Sequence, residues 1–500
     1  MASSTEGWVV GQKLQNKIIV CFDGTGNSAS AVASGRQATN VSRLHDCIEE
    51  FCANGTRQRK LYISGIGTDS TSSWWLRKYN QAMGEGLDEK IQEAYNFICG
   101  AYDWTSGEDD AIILIGFSRG AFTARCLAHF ILNAGLRRDD EAARSAMYQA
   151  WRGNSPPHLR LNQIREDNVK EGLGKDVTIK VCAVWDTVAS IKRPWPSFID
   201  SSFHRGIENA FQALSLHERR YYYHPIVWRR AEHAESRLEQ CWFSGYHSDI
   251  GGGSDSESLA QFGLGWMMSK LEPYIGFDYL RFWNPRPLRS CWTLNSTEPL
   301  DQTSMKSYYL LLGTRERKPG IQFWSDGKVE DEVPPPAPDH LFVGEEIHQT
   351  VRFLLEFYDD LGATLGTMRN QNPPDNELIK SKEQDLKRMR PPAGPFLGAT
   401  APMQRDAVWG WDLVFTYSWW SHIIGYLSNF PNRQPSPQRI MYRMNEAELG
   451  SREKTLLQGW VWSGLAALQA YSVPGVTPTT IISDLDQFLQ NQGVYRRRGS

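Results

Sequence analysis

The stretch Ala111-Ile-Ile-Leu-Ile-Gly-Phe-Ser-Arg-Gly-Ala121 joins an apolar run to a turn of small residues, and from Ala121 to Leu132 the spacing becomes helix-like. Strand, tight turn and helix follow one another, and the turn carries Ser118 in a Gly-x-Ser-x-Gly pattern over Gly116–Gly120. Flanking glycines remove side chains that would clash in so sharp a turn. The helix start then aims backbone amides at any negative charge that develops beside the serine. The five letters alone are a weak signal. A strand before them and a helix after them make it specific. The plainer alternative is a glycine-rich turn with an idle serine.

Similar runs lie on either side. Lys17–Phe22, Lys60–Ile63, Val177–Val184 and Cys241–Phe243 are short and apolar, whereas Val41–Phe51, Leu87–Cys99 and Gly206–Leu216 have helix-like spacing. Strands that are apolar throughout, alternating with amphipathic helices, predict an α/β fold of the α/β-hydrolase kind. The expected sheet is mostly parallel, with helices on both faces. This catalytic unit is expected over 15–330. Residues 331–400 read as a Pro- and charge-rich linker with one helix, Leu341–Asp360. Residues 401–490 read as a Trp-rich, mainly helical lid or accessory region.

Leu413–Phe430 runs for 18 residues without a charge and Thr455–Ser483 for 29. A spanning helix wants about 20 mostly apolar residues. Ser418, His422 and Asn429 interrupt the first stretch, and Pro474 and Pro478 the second. Core helices, or an element in peripheral contact with a membrane, fit better than a span. The N-terminus shows no basic-then-apolar leader, and the eight cysteines form no C-x-x-C pair, so a reduced, cytoplasmic setting is expected. Over 500 residues, 54 Lys and Arg against 57 Asp and Glu leave a net charge of −3, which gives nucleic acid no field to bind. The sequence leaves oligomeric state open.

A serine hydroxyl needs a base, and the base needs an orienting acid. Two further apolar runs end in candidates: Val184-Trp-Asp186, and Phe243-Ser-Gly-Tyr-His247-Ser-Asp249 before Ile250 and three glycines. Ser118, Asp186 and His247 therefore each follow a strand, in the order Ser…Asp…His. A parallel sheet puts all three positions on one edge. Asp249 is the alternative orienting acid, and His217, His224 and His233 are the rival histidines. The first strand ends Phe22-Asp23-Gly24-Thr25. The amides of Gly24 and Thr25 would make half of an oxyanion hole, with the Arg119 amide as the other half. Asp23 is a supporting residue or a turn former. A phosphatase of the D-x-D-G-T type is set aside, because Cys21 stands where its nucleophilic aspartate belongs. A metal site from Asp23, Asp69, His247 and Asp249 is a further alternative that no spacing demands. No cofactor is expected.

Several of these motifs occur together and in order. They are the strand ending Asp23-Gly-Thr25, Thr39-Asn-Val41, Gly65-Ile-Gly67, Gly84-x-Gly86-Leu87, Gly116-Phe-Ser-Arg-Gly-Ala121, Val184-Trp-Asp-Thr-Val188, Ala213-Leu-Ser-Leu-His-Glu-Arg-Arg220 and Gly245-x-His-Ser-Asp-Ile-Gly-Gly-Gly253. In this the chain resembles the type VI secretion phospholipase-effector-like catalytic domain family, over roughly residues 17–272, as a fungal-type member. The resemblance implies an α/β-hydrolase fold with Ser118 as nucleophile, His247 as general base and Asp186 as its orienting carboxylate. It also implies phospholipase activity in bacterial effector members. His217 departs from the pattern, which suggests an aspartate there. A structural role is expected for it, with Glu218 and Arg219 tying a helix to its surroundings. The expected substrate is an ester or lipid-like small molecule. The alternatives are a small biosynthetic ester, thioester, lactone or C–C bond cleaved by the same three residues, and a non-catalytic scaffold.

Overall fold

The computed structural model describes residues 15–24, 38–65 and 86–278, with breaks at 106–107, 139, 153–156, 189–202, 230–235 and 254–258, and short stretches between 315 and 447. The first half alternates as the sequence suggests: β1 (Lys17–Phe22), α1 (Asn40–Cys47), β2 (Gln58–Ile63), α2 (Leu87–Ala101), β3 (Ala111–Phe117) and α3 (Arg119–Ala134). A two-residue pair, β4 (Leu136–Arg137) and β5 (Gly174–Lys175), closes around helices α4 (Glu141–Arg152) and α5 (Pro157–Lys170). Then come β6 (Ile179–Trp185), β7 (Ile207–Ser215), β8 (Arg237–Phe243), the short α6 (His247–Gly251) and α7 (Ala260–Leu271). Later strands are β9 (Gln322–Ser325), β10 (Lys328–Asp331), β11 (Glu345–His348), β12 (Pro402–Arg405), β13 (Val408–Thr416) and β14 (Arg439–Ala447).

The sheet runs β2-β1-β3-β6-β7-β8-β11-β14-β13-β12. From β2 to β14 every pairing is parallel, and β13 and β12 turn antiparallel at the far edge. Period-two alternation splits each strand between two cores. Ile19, Cys21, Ile113, Ile115 and Phe117 pack on one face with Val41 and Leu44 of α1 and Trp266 and Met267 of α7. Ile18, Val20, Ile112 and Leu114 pack on the other with Ile91 and Tyr95 of α2 and Leu127 and Phe130 of α3. All seven residues of β3 are buried. That explains a continuous apolar run, since neither face meets water and each large side chain contributes about 1.5–3 kcal/mol. Cys21, Cys182 and Cys241 are buried in these layers as small hydrophobes.

Three sequence expectations need correction. Gly206–Leu216 reads as a helix but is strand β7, because Ile207, Ala210, Phe211 and Leu214 fit a helical stripe as well as a strand covered on both faces. Leu341–Asp360 is expected to be a helix, yet Glu345–His348 forms β11 against β8, and only Thr350 and Val351 among the described residues of that range are helical. In 401–490 the described residues are strands β12, β13 and β14 rather than helices, and most of both uncharged stretches lies outside the described residues. Among the described residues no helix is long and apolar enough to cross a membrane.

Candidate active site

The C-terminal ends of β1, β3, β6, β7 and β8, neighbours in the sheet, place Asp23, Ser118, Asp186, His217 and His247 along one edge. The chain reverses its direction of travel across the sheet between β1 and β3, where open α/β folds leave a crevice. A cleft there is lined by Asp23, Lys90, Arg119, Gly120 and Thr123. Burial lowers the Lys90 ammonium pKa to about 8.

Ser118 sits between β3 and α3 at φ 59 and ψ −121, a conformation unfavourable for a residue with a side chain. Its neighbours make the turn possible. A Cβ on Gly116 would lie 2.6 Å from Ala121 Cα, and one on Gly120 would lie 2.4 Å from Phe22 O. Helix α3 therefore starts directly against β1, and only glycine fits at both places. Arg119 opens α3, in the first turn whose N–H groups the helix's own carbonyls leave to other acceptors.

Asp186, at φ 43, follows β6 just as sharply and is fully buried. His247 follows β8 at the start of α6 and is also buried. The fold joins the three. His247 Nε2 lies 2.8 Å from Ser118 Oγ, and His247 Nδ1 lies 2.6 Å from Asp186 Oδ2. The Phe117 ring lies 4.8 Å from the imidazole, and the Tyr223 ring meets it edge-on at 4.9 Å. Burial lowers the imidazole's pKa below 6.5, only partly countered by Asp186. The ring is thus a free base at neutral pH. Burial alone would raise the Asp186 carboxyl, but the charge of Arg317 and the bond and charge of His247 outweigh it and hold it well below the usual carboxylate range.

The other expected residues do different things. Asp249 Oδ2 accepts from the Tyr246 amide at 2.8 Å and caps α6, so Asp186 is the carboxylate at the imidazole. Asp23 Oδ2 accepts from Thr39 Oγ1 at 2.8 Å and from the Tyr62 hydroxyl, and Asp23 Oδ1 accepts from the Gly24 amide at 2.6 Å. Burial raises the Asp23 pKa against those bonds. The Gly24 amide is thus engaged by its neighbour's carboxylate, while Thr25 and Asp69 lie outside the described residues. Among the described residues no group of three or more His, Cys, Asp or Glu is placed to hold a metal ion. His217 exchanges bonds with Gly245, accepting its amide on Nδ1 at 2.9 Å and donating its own amide to the carbonyl at 3.0 Å. Burial drives its pKa down to about 3, so it stays neutral.

Sequence reasoning misses an outer ring of partners. Glu218 is tied by Arg220, with Nε to Oε1 at 2.9 Å and Nη2 to Oε2 at 2.7 Å, and the Arg219 carbonyl accepts from the Arg315 amide at 2.9 Å. Glu218 also accepts from the His247 amide at 3.3 Å. These residues follow a strand, not the helix expected there. Arg317 reaches Asp186 from more than a hundred positions along the chain, with Nη1 to Oδ1 at 2.6 Å and Nη2 to Oδ2 at 2.9 Å. Ser215 donates its amide to Asp186 Oδ1 at 3.0 Å. The adjacency of Glu218 and Arg220 is visible in sequence, but nothing near Arg317 marks it.

A doubly covered parallel sheet with Ser118, His247 and Asp186 hydrogen-bonded in series at its C-terminal edge defines an α/β protein whose candidate site gathers where the strands end. The model of the type VI secretion phospholipase effector Tle1-like catalytic domain matches residues 16–270, and the chain belongs to that family. Uncharacterized protein YEL023C of Saccharomyces cerevisiae is 28% identical over 225 residues, 41% of this chain and 31% of the relative. The chain thus spans about a third of the length of that curated relative. Among solved structures, a Tle1 effector bound to the VgrG spike of the type 6 secretion system is 20% identical, over 51% of this chain and 56% of the other, with a TM-score of 0.26. An uncharacterized protein from Pseudomonas aeruginosa is 18% identical, over 51% and 45%, with a TM-score of 0.30.

Proposed function

We propose that the chain is a serine hydrolase that cleaves a carboxylic ester of a lipid or phospholipid. The observation that supports this best is the unbroken series Ser118 Oγ, His247, Asp186, with contacts of 2.8 and 2.6 Å. Family membership points to the same class. His247 Nε2 takes the Ser118 proton as Oγ attacks the ester carbonyl. The negative oxygen that forms is held by the Arg119 amide, and the Gly24 amide joins it once the Asp23 carboxylate gives that amide up. His247 returns its proton to the leaving alcohol, leaving an acyl group on Ser118. It then deprotonates a water that attacks this acyl group, and the acid departs as Ser118 is reprotonated. Proton transfer contributes roughly 10²–10⁴-fold and each oxyanion donor about 10²–10³-fold. Residues 401–490 act as lid or acyl-chain surface in this reading, and membrane contact is peripheral.

The test is labelling by a fluorophosphonate probe, followed by turnover of phospholipid vesicles against short soluble esters. Wild type should label, and Ser118→Ala and His247→Ala should not. An unlabelled wild type, or equal labelling of Ser118→Ala, overturns the reading. Preference for short soluble esters would overturn the lipid assignment alone.

A further inference from the structure

Asp186 is held far more tightly than orienting an imidazole requires. The Arg317 guanidinium binds both of its oxygens, in a pair whose side chains are 1% and 0% exposed. Arg317 Nη1 also donates to Ser215 O at 2.7 Å and to Ser215 Oγ at 2.6 Å, and Nη2 donates to Tyr223 O. The segment carrying it is pinned at both ends. The Arg315 amide donates to Arg219 O at 2.9 Å. The Gly320 amide donates to Glu345 Oε2 at 2.8 Å, which also accepts from Trp242 Nε1 at 2.8 Å. Arg317 lies 47 positions beyond the family match, which ends at 270. A residue outside the matched domain thus completes the surroundings of its innermost carboxylate.

We propose that Arg317 is a positioning residue of this site, which fixes Asp186 in the orientation His247 needs and offsets its charge, so that His247 stays an unprotonated base further into the acid range. This inference rests on the roles given to Ser118, His247 and Asp186 above. A buried carboxylate with one cationic partner gives that partner its whole field; shared with a two-pronged guanidinium, it stabilises an imidazolium less. Among the described residues, the other groups facing the ring are Ser118, the rings of Phe117 and Tyr223, and the Glu218–Arg220 pair, whose charges largely cancel. Arg317 is the cation bonded to the same carboxylate as His247.

The experiment uses the full chain as wild type, Arg317→Gln, Arg317→Lys and Arg317→Ala with or without guanidinium ion. Histidine-selective NMR follows the His247 titration, which needs no turnover, and fluorophosphonate labelling is followed against pH. Arg317→Gln should raise the His247 titration by at least about one unit, lowering labelling at pH 6 relative to pH 8 by up to about tenfold per unit of rise. Arg317→Lys, whose ammonium cannot match both oxygens, should give a smaller rise. Guanidinium added to Arg317→Ala should reverse most of its rise. An unmoved titration in whichever of the Gln and Lys variants folds overturns the inference and leaves Arg317 a purely structural clamp. Failure of the wild type to label overturns the hydrolase reading instead, whatever His247 does.

Discussion

The Phe117 ring fills the space that a side chain on Gly251 would need: a Cβ there would lie 1.9 Å from Phe117 Cε2. The same ring packs against His247 at 4.8 Å. One missing methyl group therefore seats the imidazole. Gly251→Ala should push Phe117 aside and misplace His247, cutting fluorophosphonate labelling at least about tenfold, since small displacements of reacting groups cost that much or more. Adding Phe117→Leu to it should recover part of the loss.

The contact of α3 on β1 is as unforgiving. Gly120→Ala sets a methyl group 2.4 and 2.5 Å from two backbone carbonyls of the β1 end. We expect about 2–3 kcal/mol of lost stability, read as a lower midpoint in urea, together with lost labelling. Gly172→Ala meets open space at φ +71, so it carries only backbone strain and should cost about 1 kcal/mol with labelling intact.

Asp186 and Asp249 separate cleanly. Asp186→Asn removes the charge that supports the imidazolium and should lower labelling about 10³–10⁴-fold. Asp249→Asn weakens the cap on Tyr246 and should cost about 1 kcal/mol of stability with less than tenfold loss of labelling. The reverse ranking would move the orienting role to Asp249.

Two histidines give opposite readouts in acid. Burial holds the His247 titration below that of an ordinary histidine, so labelling should persist further into acid than a solvent-exposed imidazole would allow and fall only as the ring is protonated. His217 affects stability instead. The unfolded side chain binds its proton near 6.5 and the native one near 3, so between these values the unfolded chain holds more protons and stability falls as pH falls. The full effect is on the order of 5 kcal/mol. His217→Asn, which keeps an acceptor for the Gly245 amide, should flatten that slope in urea titrations taken from pH 7 to 4. Below about pH 4 the Asp186 and Glu218 carboxylates, held low in the native state, give a second loss in both proteins.

What could be read from the sequence follows the reach of each interaction. Ser118 and its glycines are legible because the constraint is local: β3, the turn and α3 are consecutive, and the clashes at Gly116 and Gly120 call for particular letters. Asp186 and His247 are legible because a parallel sheet converts strand ends into one edge. β7 is misread because a strand buried on both faces has no polar side to betray its period. In β13, Trp409, Trp411, Leu413 and Phe415 do alternate, but Val408 and Val414 blur the pattern. Arg317 is illegible for a different reason: its pairing with Asp186 spans 131 positions, and no periodicity encodes so distant a contact.

The parallel sheet has a consequence for handling the molecule. Among the described residues, the groups proposed to react lie where strands finish, and none of them lies at the edge where strands begin. Gly172, in the turn that leads into β5 and β6, is exposed there with nothing within 4 Å of where a side chain would start. A reporter or surface tether attached at that turn would leave the protein standing with its strand-end rim facing outward.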